Sequence, residues 1–488
     1  MSGKPKLRKT KTKIVATIGP ACDSIDVLKD MIRAGMNVAR LNLSFDTYQG
    51  QKRRLERIRT AARELEANLA IMVDTKGIEI RTGKLSGGPV ELLPDQQFIL
   101  HTDERVGDAG GVYVSYRGLP EEVTPGTPIL LDDGAIELVV ESASPGRVAC
   151  QVVHGGILGE YKSVNLPATE LLTTMTDPVY RENIINELNF AVDNRVDYVA
   201  ASFVQTGEEV RGMRALLKEK GADIPIIAKI ENRAGVENLE AIVEAANGVM
   251  VARGDLGVEL PLAELPSTQK RIIRATVTKG KPVITATQML ASMENSPKPT
   301  RAEASDVANA ILDGTSAIML SGETASGKYP VEAVKTMVTL ALRAEASLRE
   351  YGYLQKILPH PSNVVTEAVS QAATAMASHL KATAIISLTS TGFTSCLISK
   401  YRPDCPILAI TNSESVMRAL SMNWGVIPLL FESKWNDEEK TKFAIGRARE
   451  LGYVCGGDIV VVTAGSMELA GGTDLIRVVT LPKQDPDF

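Results

Sequence analysis

The chain has 488 residues, of which 44% are hydrophobic and 23% charged, and its formal net charge is −5. This length predicts two to four domains, while the acidic balance and the 4% of aromatic residues disfavour a nucleic-acid partner. No run approaches the ~18 consecutive apolar residues that a membrane-spanning helix needs, so we expect no membrane contact.

The amino-terminal residues MSGKPKLRKTKTK are basic and precede a short apolar run that ends at Gly19 and Pro20. Because that run is too short for a secretory signal, we interpret the start as a short basic arm that leads into a first strand. The five cysteines form no CxxC pair, which is typical of a reducing compartment. The sequence therefore predicts a cytoplasmic protein.

Eight short apolar runs, each ending in polar residues or glycine, alternate with longer amphipathic stretches. Such alternation is typical of parallel strands covered by helices on both sides, and eight units predict a (β/α)8 TIM barrel. The first helix is marked by Ser24 as its N-cap and Gly35 as its end. The eight runs are IVATIG, NVARLN, LAIMVDT, VDYVAASF, PIIAKIE, GVMVARGD, PVITATQ and AIMLSGET.

The gap between the third and fourth runs is much longer than the others. There the pattern changes to short alternating runs with turns, and the Asp-Asp-Gly at 132–134 is a hairpin signal. We predict an all-β lid domain inserted in a βα loop over the active face. Five further apolar runs near the end predict an α/β domain. The predicted division is a first barrel segment with the basic arm (1–77), the inserted β lid (78–166), a second barrel segment (167–350) and a C-terminal α/β regulatory domain (351–488).

Charged residues follow several of the barrel strands, at the end where TIM barrels carry their active sites. N-capping does not explain Lys229 or Glu231, and strand alternation places both side chains on one face. Glu231 and Asp255 end neighbouring strands, and two carboxylates with substrate oxygens suit Mg²⁺. With Arg40 these charges describe a phosphoryl-transfer site, and a structural salt bridge is the alternative. Other polar strand-end residues are Ser202, Arg253, Gln288 and Glu323.

The segment GETASGKYP has the spacing of a phosphate-binding P-loop, from Gly322 to Gly327 and Lys328. Tyr329 stands where a serine or threonine must contact Mg²⁺. We therefore predict an ordinary loop followed by a helix that begins at Pro330. No GxGxxG fingerprint supports a dinucleotide-binding domain.

Over nearly its whole length the sequence resembles pyruvate kinases. The resemblance implies a homotetrameric, allosteric enzyme of glycolysis that transfers the phosphoryl group of phosphoenolpyruvate to ADP, giving pyruvate and ATP. It also implies dependence on Mg²⁺ (or Mn²⁺) and K⁺. The motifs that carry the resemblance are, in order, TKIVATIGPA, MNVARLNLS, DTKGIEIRTG, SVNLP, AASFV, AKIENRAGVEN, VARGDLGVELP, ATQMLASM, PTRAEASDVANAILDG and IMLSGETASGKYPVEAV.

The resemblance implies a role for each of several strand-end residues. Lys229 would stabilise the transferring phosphoryl group, while Thr287 and Ser321 would lie beside the water chain that protonates the enolate. Glu231 and Asp255 would bind Mg²⁺. The implied catalytic residues are Lys229, Arg40, Thr287 and Ser321. The implied phosphoenolpyruvate contacts are Arg40, Lys229, Gly254, Asp255 and Thr287.

Nucleotide and K⁺ contacts are implied nearby. Arg81 and Lys162, at the two hinges of the insert, would contact ADP together with Asn42. Glu79 matches a glutamate that accompanies K⁺ dependence in the family. The implied K⁺ ligands, all oxygen donors, are Asn42, Ser44, Asp74 and Thr75.

The sequence departs from the family pattern without removing a charged catalytic group. Phe45 stands where the family usually has histidine, and we expect its ring to pack against neighbouring residues. Ile78 and Ser163 replace proline and glycine near the hinges of the insert, so we expect a looser hinge. Asp177 and Pro178 interrupt what is usually a Lys-Asp pair.

The loop from Leu388 to Ser395 ends a strand, opens a helix and resembles the family's effector-phosphate loop. Backbone amides and hydroxyls at a helix N-terminus suit a phosphate, with ordinary N-capping as the alternative. Because Phe393 and the later loop GSMELAGGTD add no basic residue, we favour a sugar monophosphate or nucleoside monophosphate over a bisphosphate. The candidate effector contacts are Thr389, Ser390, Thr394 and Ser395.

Two other functions are compatible with a charged barrel of this kind. One is a Mg²⁺-dependent barrel lyase or aldolase that acts on a 2-oxo acid, and the cations Arg81 and Lys162 disfavour it because a lyase needs no ADP clamp. The other is a non-catalytic relative that keeps the barrel, which the intact charged residues disfavour.

Overall fold

A computed structural model describes residues 10–167, 169, 178–352, 364–431, 436–465 and 472–483. Residues 1–9 of the predicted basic arm, Asp177 and most of the GSMELAGGTD loop lie outside these residues. None of the helices in the described ranges is long and apolar enough to cross a membrane.

The first barrel segment consists of three parallel strands separated by two helices. Ser24 accepts a hydrogen bond from the Val27 amide at the start of the first helix, and Gly35, at φ 124°, ends it. The predicted cap and stop signals of this helix are thus confirmed. The elements are β1 (Lys13–Thr17), α1 (Ile25–Ala34), β2 (Val38–Asn42), α2 (Tyr48–Glu64) and β3 (Ala70–Asp74).

A mainly antiparallel β domain then interrupts the barrel, as the alternating pattern predicts. Its elements are β4 (Val90–Leu92), β5 (Gln97–His101), β6 (Gly111–Tyr113), α3 (Leu119–Glu122), β7 (Pro128–Leu131), β8 (Ile136–Ser144), β9 (Arg147–His154), β10 (Gly156–Leu158) and β11 (Val164–Asn165). They form a six-stranded sheet in the order β11-β7-β8-β9-β5-β6 and a two-stranded sheet, β10-β4, around a separate apolar core. The predicted hairpin at 132–134 joins β7 to β8. The sequence patterns did not predict β10, β11 and α3, because elements this short have too few residues to show a periodic pattern.

The second barrel segment supplies the remaining five strands. Its elements are α4 (Pro178–Asp193), β12 (Tyr198–Ala201), α5 (Gly207–Glu219), β13 (Ile226–Ile230), α6 (Arg233–Glu237), α7 (Leu239–Ala245), β14 (Gly248–Ala252), α8 (Arg253–Glu259), α9 (Leu265–Thr278), β15 (Val283–Ala286), a 3₁₀ turn (Ala291–Glu294), α10 (Arg301–Leu312), β16 (Ala317–Leu320), α11 (Gly322–Ala325) and α12 (Pro330–Tyr351). The P-loop look-alike forms the one-turn α11, and α12 begins at Pro330 as predicted.

Eight parallel strands close into a barrel, which confirms the predicted (β/α)8 fold. The hydrogen-bonded order is β1-β2-β3-β12-β13-β14-β15-β16, and β16 returns to β1. Apolar side chains fill the interior, and a larger cluster packs the strands against the surrounding helices. All eight strands therefore end on one face, where the polar residues of the sequence motifs follow them.

The C-terminal domain is a five-stranded α/β unit, also as predicted. Its elements are α13 (Val364–His379), β17 (Ala384–Leu388), α14 (Phe393–Lys400), β18 (Ile407–Thr411), α15 (Glu414–Ala419), a 3₁₀ turn (Leu420–Met422), β19 (Val426–Leu430), α16 (Asp437–Glu450), β20 (Ile459–Ala464) and β21 (Leu475–Thr480). The strand order is β19-β18-β17-β20-β21, with β21 antiparallel to β20 and the other neighbours parallel.

This domain packs on the amino-terminal face of the barrel. Met422 is fully buried in the apolar cluster that fills the barrel interior. The Tyr198 hydroxyl lies 2.5 Å from the Ala419 carbonyl oxygen, and Lys13 Nζ donates to the Val426 carbonyl at 2.6 Å. Because Tyr198 and Lys13 are the first residues of their strands, the contact closes the end of the barrel opposite the polar face.

We expect Met422→Ala to destabilise the protein by about 2–5 kcal/mol, because it leaves a cavity at the base of the barrel. Thermal unfolding should show a midpoint several degrees below wild type. Met417→Ala, on the half-buried neighbouring helix α15, is the matched control and should cost much less. Equal midpoints for the two variants would contradict the predicted packing role of Met422.

Candidate active site

The carboxyl ends of β2, β3 and β13 bring four charged side chains into one buried network. Arg40 Nε lies 2.6 Å from Asp74 Oδ2, and Lys229 Nζ lies 3.0 Å from Asp74 Oδ1. Lys229 Nζ is also 2.9 Å from Glu231 Oε1, so these two side chains share a face as strand alternation predicts. All four residues are buried. The predicted charges therefore converge, and each cation is paired with a carboxylate.

Burial and pairing act in opposite directions on the protonation of this network. Burial opposes ionisation of Asp74, but the charges of Arg40 and Lys229 outweigh it and hold the pKa of Asp74 below its usual value. Burial likewise lowers the pKa of Lys229, but Asp74 and Glu231 more than offset it and raise that pKa. Lys229 therefore carries a fixed positive charge at neutral pH, directed at the barrel mouth.

Glu231 and Asp255 carry negative charge that the side chains around them do not fully neutralise. Burial raises the pKa of Glu231 to about 7 against the pull of Lys229, and the nearby Asp255 adds to the rise. Burial also raises the pKa of Asp255. A hard divalent cation would relieve this repulsion, and two carboxylates suit Mg²⁺, which completes its shell with water and substrate oxygens. The residues present thus fit Mg²⁺, although no group of three or more His, Cys, Asp or Glu side chains within the described ranges is placed to hold a metal ion by itself.

The oxygen donors expected for K⁺ lie at the ends of two paired strands. Asn42 at the end of β2 is in register with Asp74 at the end of β3. Asn42 Oδ1 accepts the Ser44 amide hydrogen bond at 2.9 Å, and Thr75 is buried next to Asp74. This set of amide, hydroxyl and carboxylate oxygens is chemically compatible with a hard monovalent cation.

The hydroxyls of Thr287 and Ser321, both predicted to act near the enolate, differ in their hydrogen bonding. The Thr287 hydroxyl accepts a hydrogen bond from the Gly254 amide and donates one to the Ala286 carbonyl, both at 2.7 Å. Ser321 Oγ is buried and has no hydrogen-bond partner in the described structure. The Thr287 hydroxyl is therefore bonded to the backbone, whereas the hydrogen-bonding capacity of the Ser321 hydroxyl is unused within the described residues.

A cleft of about 400 Å³ separates the inserted domain from the barrel and contains Asp255 in its wall. Arg81 and Lys162 both line this cleft. Their two hinge segments are neighbours, because the Thr82 amide donates a hydrogen bond to the Lys162 carbonyl. Arg81 pairs with Glu79, and Lys162 Nζ lies 2.9 Å from Asp132 Oδ1. Both predicted ADP-binding cations thus face the cleft, held by carboxylates of the insert. Asn42, at the end of β2, is not among the residues that line this cleft.

The structure contradicts one expectation about the substituted positions, whereas the looser hinge stays a prediction. The expectation that Phe45 packs is wrong, because its ring is 68% exposed. The chain turns sharply there, with Asp46 at φ 68° and the Phe45 carbonyl bound by Gln51 Nε2 at 2.6 Å, so the ring is directed into solvent. Ile78 packs against the apolar clusters of both the barrel and the insert.

The candidate effector loop is held by its own side chains. Gly392, at φ 86°, precedes α14, and its amide donates to Thr389 Oγ1 at 2.8 Å. The N-cap residue of α14 is Gly392, which has no side chain, and the Phe393 amide at the start of the helix donates to Thr391 Oγ1 at 3.4 Å. Ordinary side-chain capping therefore stays the alternative to a phosphate site. Thr394 and Ser395 are buried, and Ser395 Oγ donates to Ser387 Oγ at 3.0 Å. Ser390 is exposed.

Two residues with no role assigned from sequence support the site. The Ser202 hydroxyl lies 2.8 Å from Lys229 Nζ and 3.0 Å from Asp74 Oδ1. The Glu323 carboxylate accepts the Ser321 amide at 2.7 Å and the Leu290 amide at 3.0 Å, which fixes the loop that carries Ser321. Their position at strand ends was visible in the sequence, but their partners depend on which strands are neighbours in the barrel.

Comparisons with known proteins agree with this architecture. A family model described as the pyruvate kinase barrel domain matches residues 9–334, and one described as the pyruvate kinase alpha/beta domain matches residues 367–479. A pyruvate kinase of Bacillus licheniformis is 44% identical over 96% of this chain and 80% of its own length. One of Clostridium acetobutylicum is 42% identical over 96% of this chain and 99% of its own.

A solved structure is similar throughout. The crystal structure of a pyruvate kinase from Cryptosporidium parvum superimposes with a TM-score of 0.90 at 38% sequence identity, covering 97% of this chain and 96% of that one. The match includes the barrel, the inserted β domain and the C-terminal unit in a single alignment. On the matches to both domain models and to full-length relatives, the chain belongs to the pyruvate kinase family.

Proposed function

We propose that the network of Arg40, Asp74, Lys229 and Glu231 is the centre at which this pyruvate kinase transfers the phosphoryl group of phosphoenolpyruvate to ADP, giving pyruvate and ATP. The observation that carries the proposal is Lys229 Nζ, buried between two carboxylates and charged at neutral pH. A fixed cation in a dry site stabilises charge that develops on a transferring phosphoryl group without reorganisation at the moment of reaction.

Phosphoenolpyruvate would bind between the strand ends. Arg40 and Lys229 would contact its phosphoryl group. Its carboxylate would bind the amides of Gly254 and Asp255 and the Thr287 hydroxyl, in exchange for the hydrogen bonds that Gly254 and Thr287 make in the structure. A Cβ on Gly254 would lie 3.6 Å from Thr287 Oγ1, so a side chain there would fill the space between these two contacts. The absence of a side chain therefore keeps that approach open.

Glu231 and Asp255 would hold Mg²⁺ or Mn²⁺, and Asn42, Ser44, Asp74 and Thr75 would hold K⁺. Bound cations would neutralise the crowded anions of substrate and nucleotide. Around them the protein residues orient the reactants, and Lys229 stabilises the charge on the equatorial oxygens and the enolate. Ser321, whose buried hydroxyl has no partner in the described structure, would order the water that protonates the enolate carbon.

The inserted domain would act as a lid that brings ADP to this centre. Arg81 and Lys162 would bind the nucleotide phosphates in exchange for Glu79 and Asp132, their partners in the structure. Asn42 would be a further nucleotide contact from the barrel side. One contact already joins lid and barrel, since Asn165 Nδ2 lies 3.4 Å from Glu259 Oε1. Dependence on ADP is what separates this function from that of a barrel lyase.

The wider assembly follows the family expectation. We propose a homotetramer in the cytoplasm, with domains divided near residues 77, 166 and 350. We also propose that the loop containing Thr389, Ser390, Thr394 and Ser395 binds a phosphorylated effector through the backbone amides that open α14. Light scattering tests the tetramer, and a monomeric mass would contradict it.

The direct test of the reaction is pyruvate release from phosphoenolpyruvate with Mg²⁺, with and without ADP and K⁺. We expect turnover that requires ADP and increases with K⁺. Lys229→Met should lower kcat roughly 100- to 1,000-fold or more, because it removes the cation that stabilises the transition state. Lys270→Met, which breaks a pair with Asp313 outside the barrel mouth, is the control. Near-normal turnover of the Lys229 variant would remove that residue from the mechanism.

Stability should depend on pH through Glu259. Burial raises its pKa to about 7, so the folded protein holds a proton on Glu259 more tightly than the unfolded chain does. Stability from this group is present at low pH and is lost as pH rises from about 4.5 towards 7. We therefore expect Glu259→Gln to raise the free energy of unfolding by on the order of 3 kcal/mol relative to wild type at pH 8 but not at pH 4, with a higher thermal midpoint at pH 8 only. Glu237→Gln, an exposed position of the same cleft, should show no such gain, and an equal Glu259→Gln effect at both pH values would refute the prediction.

Effector binding should change the affinity for substrate. We expect a sugar monophosphate or a nucleoside monophosphate to lower the phosphoenolpyruvate concentration that gives half-maximal rate, because phosphate binding at α14 would favour the active conformation. The measurement is the substrate saturation curve at increasing effector concentrations. No shift with any of these compounds would reject the effector site.

A further inference from the structure

The turn that follows β15 has an uncommon backbone. Thr287 and Gln288 adopt φ values of 65° and 54°, so two successive residues other than glycine are left-handed. Left-handed backbone is unfavourable for β-branched side chains such as threonine, and it persists only where the surroundings hold it. Thr287 is also a proposed substrate contact, so whatever holds this turn affects the site.

Arg253 holds it. Its Nη2 donates to the Thr287 carbonyl at 2.7 Å, and its Nε lies 3.3 Å from the carbonyl oxygens of both Thr287 and Ala286. The guanidinium thus contacts the carbonyls of the two peptide units that flank Thr287, the first left-handed residue of the turn. A planar group with donors in a fixed fork suits this geometry, which a lysine ammonium does not reproduce.

The far side of the guanidinium is anchored as well. Arg253 Nη1 lies 2.7 Å from Asp306 Oδ2 on α10 and 3.4 Å from Gln269 Oε1 on α9. Arg253 is buried, with 9% of its surface exposed. Its orientation is therefore set by partners outside the barrel mouth, while its other edge faces the turn.

The clamp links two parts of the proposed substrate site. Arg253 is the first residue of α8, the helix that carries Gly254 and Asp255. Across the gap, the Gly254 amide donates to Thr287 Oγ1 at 2.7 Å. Arg253 therefore fixes the Thr287 backbone from one side, while the next residue along the chain binds the Thr287 hydroxyl from the other.

We propose that Arg253 is a positioning residue for the reaction: it holds Thr287 in the left-handed conformation that directs its hydroxyl to the Gly254 amide and shapes the pocket for the substrate carboxylate. This inference rests on the proposed function, because it concerns a proposed substrate contact, Thr287. Arg253 itself makes no contact with substrate. It predicts that the effect of Arg253 on catalysis passes through Thr287. A purely structural arginine, which only ties α8 to α10 through Asp306, would not show that dependence.

A double-mutant cycle separates the two roles. The full-length variants Arg253→Lys, Thr287→Val and the double variant are compared by kcat/KM for phosphoenolpyruvate at saturating ADP, Mg²⁺ and K⁺. We expect each single change to lower kcat/KM by about 10- to 100-fold, since misplacement of about 1 Å in an active site has effects of this size. The double variant should lie within about threefold of Thr287→Val, because without the hydroxyl there is little left for Arg253 to position. The KM for ADP should stay within about twofold of wild type.

Arg214→Lys is the matched control. Arg214 also donates to a backbone carbonyl, that of Ala245 at 2.8 Å, but at the opposite end of the barrel strands. It should leave kcat/KM for phosphoenolpyruvate unchanged. If Arg253→Lys does not fold, as judged by its thermal midpoint, Asp306→Asn replaces it in the cycle, because it weakens only the outer anchor of the guanidinium.

Effects of Arg253→Lys and Thr287→Val that multiply in the double variant would overturn the proposal, as would an Arg253→Lys variant with wild-type kcat/KM. In either case wild-type turnover would leave the proposed function standing. A wild-type protein without ADP-dependent turnover would instead overturn the proposed function and this inference together.

Discussion

The ion pair between Lys229 and Asp74 is the interaction on which the rest of the site depends. Two cations, Arg40 and Lys229, share the Asp74 carboxylate, and Glu231 supplies the second negative charge for Lys229. Buried charges are costly unless paired and hydrogen-bonded, and removal of one partner leaves the others unpaired. The four charges of the network therefore balance, and Asp255 beside Glu231 adds a further negative charge that a divalent cation would neutralise.

The barrel determines where these charges meet. The sequence predicted the barrel, the insert and the C-terminal unit, because eight apolar runs with polar ends are a strong periodic signal and the insert breaks it with an alternating one. It also predicted that Lys229 and Glu231 share a face, which follows from strand alternation alone. Which strands are neighbours, by contrast, depends on how the barrel closes. The contact of Lys229 with Asp74, 155 residues away, therefore had no signature in the local sequence.

Other features of the site could not be read from sequence for physical reasons. The exposure of Phe45 depends on a left-handed Asp46 and on the Gln51 side chain, neither of which a hydrophobicity pattern reports. The Thr287 hydroxyl is hydrogen-bonded to the backbone, whereas the Ser321 hydroxyl has no partner among the described residues, and both states depend on the neighbouring backbone. Motif matching identified both residues but could not distinguish their roles.

Turnover of phosphoenolpyruvate with ADP should be measured in Asp74→Asn, with Asp74→Glu as the charge-preserving comparison. We expect Asp74→Asn to lose at least about 100-fold in kcat, because Arg40 and Lys229 lose the shared carboxylate that fixes their positions. Asp74→Glu should recover part of this loss, since it restores the charge with a longer side chain. Turnover of a folded Asp74→Asn protein at the wild-type rate would contradict the central role of the network.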